Sequence, residues 1–183
     1  MAGRPTFEEV ARFHGHVCPG LALGYRMAVA ALDALGVERA EDEELVAIVE
    51  NDACGVDAVQ YLAGCTFGKG NLVFRDHGKH VYTLLSRRSG RAVRVVGHLQ
   101  GAPPELREER AAYIQWILQA PLEALVSLRE VQVEHPPLAR IRSSAPCARC
   151  GERVMETRLR SVNGRLLCIP CAEEEQRAGD VHA

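Results

Sequence analysis

Lysine is nearly absent from this sequence: of 22 basic residues, only Lys69 and Lys79 are lysines. The arginine bias reads as a genome or temperature effect. Two lysines kept within one short stretch hint at a small cationic head that arginine could not replace. Long apolar runs are missing too. Nothing approaches the roughly 18 consecutive apolar residues of a membrane span, so no membrane association is expected. Met1 to Glu9 holds no apolar signal-peptide core and soon turns acidic, which leads us to expect a cytoplasmic location. Strong net charge is lacking, since the formal balance is −2, too small for bulk attraction to nucleic acid. Internal repeats and low-complexity segments are lacking as well.

What is present suits one medium domain with a small appendage. The 183 residues are 47% hydrophobic, enough for a real core. Pro136-Pro137 and Ser143-Ser144-Ala145-Pro146 mark a linker, giving an expected core domain over 1–139 and a second unit over 140–183. The second unit is uneven in charge. Residues 140–171 hold seven arginines against Glu152 and Glu156, and an acidic tail with Glu173, Glu174, Glu175 and Asp180 follows.

Within the core, an entry segment rich in polar residues comes first, and no helix is expected in it. Leu21, Tyr25, Ala28, Leu32 and Leu35 repeat at helical spacing, which predicts a helix from Pro19 to Gly36. Leu45 to Val49 is a continuous apolar run, read as a strand buried on both faces. A short helix over 56–64 leads to strands at 71–75, 81–85 and 92–97. The first two strands should lie parallel through a right-handed crossover. A helix over 105–119 is expected after Pro103-Pro104, restarted at Pro121 and continuing through Arg129. The order predicts an α+β fold, a mixed four-stranded sheet with helices on one side.

The seven cysteines fall into two groups. Cys147, Cys150, Cys168 and Cys171 form C-x2-C-x17-C-x2-C, the spacing of a structural zinc site with two thiolates from each knuckle. The spacer, with a turn at Asn163-Gly164, fits a two-stranded ribbon. Four cysteines leave zinc no open position, so its role there is to fold a small segment. The ribbon's basic surface offers contact to nucleic acid or an acidic partner, although such ribbons often simply dock on protein.

The other group lies in the N-terminal half. His14, His16 and Cys18 alternate at a spacing of two, which in an extended segment puts all three on one face. Cys18 precedes Pro19 and should cap the helix, where unpaired amides favour the thiolate. Cys54 falls between a strand and a helix, with Asp57 in that helix's first turn. Such junctions are where α/β folds tend to bind ligands. The competing reading is that the cysteines are inert core residues and the histidines solvated; Cys65 fits that description best. Gly64 to Lys69 is no nucleotide P-loop. It has three residues, not four, before Gly68-Lys69, lacks the following Ser or Thr, and leads into a strand.

Four motifs carry a resemblance. Phe13-His14-Gly15-His16-Val17-Cys18-Pro19-Gly20-Leu21 and the stretch from Asn51 to Gln60 resemble the formylmethanofuran dehydrogenase E-subunit (FmdE) family. Gly64 to Leu72 and Asp76-His77-Gly78-Lys79 continue the match in the same order. The terminal module is similar to a TraR/DksA-type zinc finger. The resemblance implies a core similar to the C-terminal domain of glyceraldehyde-phosphate dehydrogenases and a homodimer, in some members with exchanged C-terminal segments. It also implies a metal at His14, His16, Cys18 and Cys54.

Three functions follow as expectations. The first is a metal-dependent enzyme, or the metal-bearing subunit of an oxidoreductase complex, with zinc or iron in the core and zinc in the ribbon. Should only His16, Cys18 and Cys54 ligate, the fourth position is open to water or substrate. Cys54 and Asp57 are then the catalytic candidates, His14 or Asp57 orients or carries a proton, and Lys69 and Lys79 favour a small anionic or carbonyl ligand. The second is a non-catalytic metal-delivery or assembly factor for a molybdenum enzyme. The third, ranked last, is a zinc-finger regulator of nucleic acid or polymerase, because it gives the N-terminal motifs no role.

Overall fold

The computed structural model, which describes residues 3–99 and 101–180, begins with a helix where none is expected from sequence. Helix α1 spans Phe7–His14 and opens with a capping box. The Thr6 hydroxyl accepts the Glu9 N–H at 3.3 Å, and the Glu9 carboxylate accepts the Thr6 N–H at 2.7 Å. The Thr6-x-x-Glu9 pattern is a legible signal for it. Gly15, at φ 94°, ends the helix in the left-handed region. His14, His16 and Cys18 therefore do not share one extended segment. His14 closes a helix, and the chain turns sharply before His16.

Helix α2, Pro19–Leu35, follows the predicted period, with Cys18 at its N-cap, Pro19 in its first turn and Gly36 at its C-cap. Strand β1, Leu45–Val49, is buried throughout, and helix α3, Gly55–Ala63, leads to strand β2, Leu72–Phe74. β2 lies parallel to β1, with Ala47 opposite Leu72. Strands β3, Val81–Ser86, and β4, Ala92–Gly97, add antiparallel to the other side of β1.

The next segment corrects the sequence reading. A 3-10 turn at Pro104–Arg107 precedes helix α4, Arg110–Gln119. Beyond Pro121 there is only a short 3-10 turn, Leu122–Ala124, and then strand β5, Val126–Val131. β5 pairs with β4 over six residues, giving a five-stranded mixed sheet of order β2-β1-β3-β4-β5. Local pattern allows a helix here. The unpaired edge of β4 decides otherwise, because its N–H and C=O groups need partners.

Alternate residues separate two environments. Leu45, Ala47 and Val49 join Tyr82, Leu84, Val93 and Val95 in one core with residues of α1, α2, α3 and α4. Val46, Leu85 and Ala92 face the other way and form a smaller cluster with Val73, Val131 and Val133. The helices thus share one face of the sheet. Arg26 ties α2 to the end of α4, donating to the carbonyls of Ile117, Leu118 and Ala120 at 2.6–2.8 Å. These are carbonyls that a helix end leaves without partners.

The chain divides into two compact units, Met1–Ala139 and Arg140–Ala183. The second contains hairpin β6, Ser144–Pro146, with β7, Arg153–Met155, and hairpin β8, Arg160–Val162, with β9, Arg165–Leu167. Asn163 and Gly164, at φ 50° and 74°, form the turn of the second hairpin. Helix α5, Ile169–Asp180, takes up the acidic tail, and Arg149 pairs with Glu174 at 2.8 Å. The unit's core is little more than Leu167, Ala172 and the cysteines. Among the described residues, no helix is long and apolar enough to cross a membrane.

Candidate metal centre

Three local features deliver the donors. α1 ends on His14, the turn at Gly15 brings His16 back, and Cys18 caps α2 with extended backbone at φ −150° and ψ 160°. The Cys18 Sγ accepts the Leu21 N–H at 3.3 Å, as an N-cap oxygen would. Cys54 arrives from the far side of β1, at the start of α3. A Cβ added at Gly20 would stand 3.6 Å from the Cys54 Cβ, so the two helix starts are close. The ligand atoms of His14, His16, Cys18 and Cys54 all lie within 4.8 Å of one another.

Hydrogen bonds orient the first of these. His14 Nδ1 lies 2.6 Å from Asp57 Oδ2, and Gln60 Nε2 donates to Asp57 Oδ1 at 3.1 Å. An ionised carboxylate only accepts, so Nδ1 carries the hydrogen and Nε2 keeps its lone pair. That Nε2 is buried and has no hydrogen-bond partner. A buried nitrogen left without a partner is costly. A carboxylate behind the other ring nitrogen is the usual arrangement behind a metal-bound histidine. The His16 ring packs on His14 with centroids 4.4 Å apart, and His16 is exposed while Cys18 is buried. Burial first, and then the neighbouring Cys18 thiol, push the Cys54 thiol above its ordinary range. A coordinated cation reverses that balance by removing the proton outright. Two imidazoles and two thiols suit zinc or iron.

The remaining sequence candidates separate. Lys69 is not at this centre: its Nζ donates to the carbonyls of Glu41 at 3.3 Å and Asp42 at 2.9 Å, at the end of β1 opposite Cys54. The geometry of β1 explains this, because Lys69 precedes a strand parallel to it. Lys79 lies at the Cys54 end. Its N–H donates to the Glu50 carbonyl at 3.0 Å, its own carbonyl accepts the Asn51 amide at 2.8 Å, and its side chain is exposed. Cys65 is fully buried, its thiol pushed up to about 12 by burial, which fits the structural reading. Asp57 joins His14, as an orienting residue would.

Sequence reasoning did not single out the polar group that follows β1. Glu50, with a side chain only 7% exposed, pairs with Arg94 and with His77 Nδ1 at 3.2 Å. Asn51 accepts the Ala53 N–H and reaches His80 Nδ1 at 3.1 Å. A buried Glu at the end of an apolar strand was the available signal.

The ribbon's donors also converge. The Sγ atoms of Cys147, Cys150, Cys168 and Cys171 lie within 4.8 Å of one another. Backbone N–H groups, of Cys150 first and then of Cys168 and Arg149, bring the Cys147 thiol down to about 6. The neighbouring Cys168 thiol, above all, pushes Cys171 up to about 12. Crowded thiols of this kind suit a divalent ion that takes all four as thiolates, and this site fits zinc.

A mixed-sheet α+β core that gathers two histidines and two cysteines, joined to a four-cysteine ribbon, defines a metal-binding protein. The chain belongs to the FmdE family, whose model, described as "FmdE, Molybdenum formylmethanofuran dehydrogenase operon", matches residues 13–127. Residues 140–177 match the prokaryotic dksA/traR C4-type zinc finger. A solved structure, a tungsten formylmethanofuran dehydrogenase E-subunit (FmdE)-like protein from Syntrophus aciditrophicus, is similar with a TM-score of 0.70 and 25% identity. That match covers 95% of this chain and 98% of the other. A "Probable S-adenosyl-L-methionine-binding protein" of Archaeoglobus fulgidus is 34% identical over 191 aligned positions. The alignment takes in 87% of this chain and 50% of that protein, so the chain spans about half of its relative's length.

Proposed function

We propose that His14, His16, Cys18 and Cys54 hold zinc or iron, and that this core centre carries the activity of a metal-dependent enzyme or oxidoreductase subunit. The ribbon zinc is structural. The observation that carries this reading is His14, whose Nε2 is buried without a partner while Asp57 holds its Nδ1. Buried Cys18 with half-buried His14 and Cys54 form one wall of the site, and exposed His16 is the ligand that solvent or substrate can displace. Were His16 displaced, His14, Cys18 and Cys54 would still hold the metal, which would supply Lewis-acid chemistry toward a carbonyl or water. A small anionic or carbonyl compound suits such a centre, with Lys79 on the same side. In this reading the chain works in the cytoplasm as a homodimer.

The exposure of His16 also favours a second reading, a non-catalytic factor that delivers metal to a molybdenum enzyme. An exposed ligand lets metal exchange quickly. Elemental analysis of the full chain should find two metal equivalents in the wild type and one in Cys54→Ser. One equivalent in the wild type, or two in the variant, would overturn the assignment. Metal that leaves the core within seconds under a competing chelator would favour delivery over catalysis.

A further inference from the structure

Gln60 has no place in the ligand set, yet it closes the Asn51–Gln60 motif that contains Cys54 and Asp57. Asp57 and Gln60 stand three residues apart on α3, so their side chains rise on one face of the helix. The two oxygens of Asp57 have different partners: Oδ2 faces His14 Nδ1 at 2.6 Å, and Oδ1 accepts from Gln60 Nε2 at 3.1 Å. The amide can present only its NH2 group here, because its oxygen would set two acceptors face to face.

A carboxylate held by one bond can turn about its last torsion, which is broad and nearly two-fold. A second donor on the other oxygen removes that freedom. The restraint matters because the Asp57 side chain is 36% exposed, against 11% for His14. Water therefore reaches Asp57 and competes for it. We infer that Gln60 is a positioning residue of the metal centre: by holding Asp57 Oδ1 it sets the carboxylate plane, and so the tautomer and ring angle that turn His14 Nε2 toward the thiols. This rests on the ligand set proposed above, with His14 as a ligand through Nε2.

The test compares the wild-type full chain with Gln60→Met, which keeps the length of the side chain and removes its donor. Zinc affinity of the core site, read by chelator competition with the ribbon site as internal control, should fall about tenfold. In metal-free protein, two-bond 1H–15N correlation spectra should show His14 as the Nδ1–H tautomer in the wild type and as a mixture in the variant. Helix packing alone would not move that signature. A core affinity within about twofold of wild type, or an unchanged tautomer whatever happens to affinity or stability, would overturn the inference. Failure of the ligand set itself reads differently, as a wild-type protein that binds metal only in its ribbon. The tautomer measurement still tests Gln60 in that case.

Discussion

Gly24 of α2 and Gly55 of α3 touch backbone to backbone. A Cβ added at Gly24 would stand 2.2 Å from the Gly55 Cα, and one added at Gly55 would stand 2.4 Å from the Tyr82 hydroxyl oxygen. Gly20 lies one turn before Gly24 on the same face, beside Cys54. This close crossing is what lets the starts of the two helices, with Cys18 and Cys54, share one site.

Gly24→Ala should therefore do more than tighten a core. Backbone cannot yield as a side-chain tip can, so the helices must separate, at a cost of about 1–3 kcal/mol. The core site should lose metal affinity while the ribbon keeps its ion. Urea unfolding together with metal stoichiometry checks this; a variant with unchanged stability and both ions would contradict it.

Asp57→Asn keeps the shape of the side chain and removes its charge. The His14 imidazole then loses a charged acceptor at Nδ1 and becomes a weaker ligand. We expect the affinity of the core site to fall about 10–100-fold, with little change in the stability of the metal-free fold. Chelator competition measures the first, and thermal unfolding of metal-free protein the second.

Glu50 predicts a pH dependence. Hydrogen bonds from Arg94, and less strongly from His77, hold its carboxyl below the ordinary value of 4.5 despite burial. A depressed carboxyl stabilises the fold fully above its unfolded value and loses that contribution as the pH falls through its folded value. At neutral pH Glu50→Gln should cost about 2 kcal/mol. The gap should close as the pH falls from the ordinary value of 4.5 through the lowered folded value. Urea midpoints of both proteins across that range provide the check, and a gap constant with pH would rule the explanation out.

Much of the site is legible in the sequence. The alternation of His14, His16 and Cys18 and the junction position of Cys54 mark candidates, and the resemblance to the FmdE family implies the set of four donors that lie together. Alternation nevertheless supplies the wrong reason for the first three. They converge through a helix end and the left-handed turn at Gly15, not through one extended strand. Lys69 shows the opposite failure. Its nearness to Lys79 in sequence suggests a shared pocket, but Lys69 precedes β2 while Lys79 follows it, so they lie toward opposite ends of β1. The stretch over 126–131 reads as helix because no local pattern records that β4 still needs a neighbour.

The four-cysteine ribbon, the helix over 19–35 and the buried strand over 45–49 were determined by the sequence alone. Each rests on a short-range rule: ligand spacing, helical period, or a run of branched apolar residues. Tertiary structure decided the fifth strand, the backbone crossing at Gly24 and Gly55, and the chain from Gln60 through Asp57 to His14. These depend on residues far apart in sequence: 31 positions separate the two glycines and 43 separate His14 from Asp57. Only packing brings such groups within bonding distance, because the hydrogen bonds and close contacts that select them act over a few ångströms.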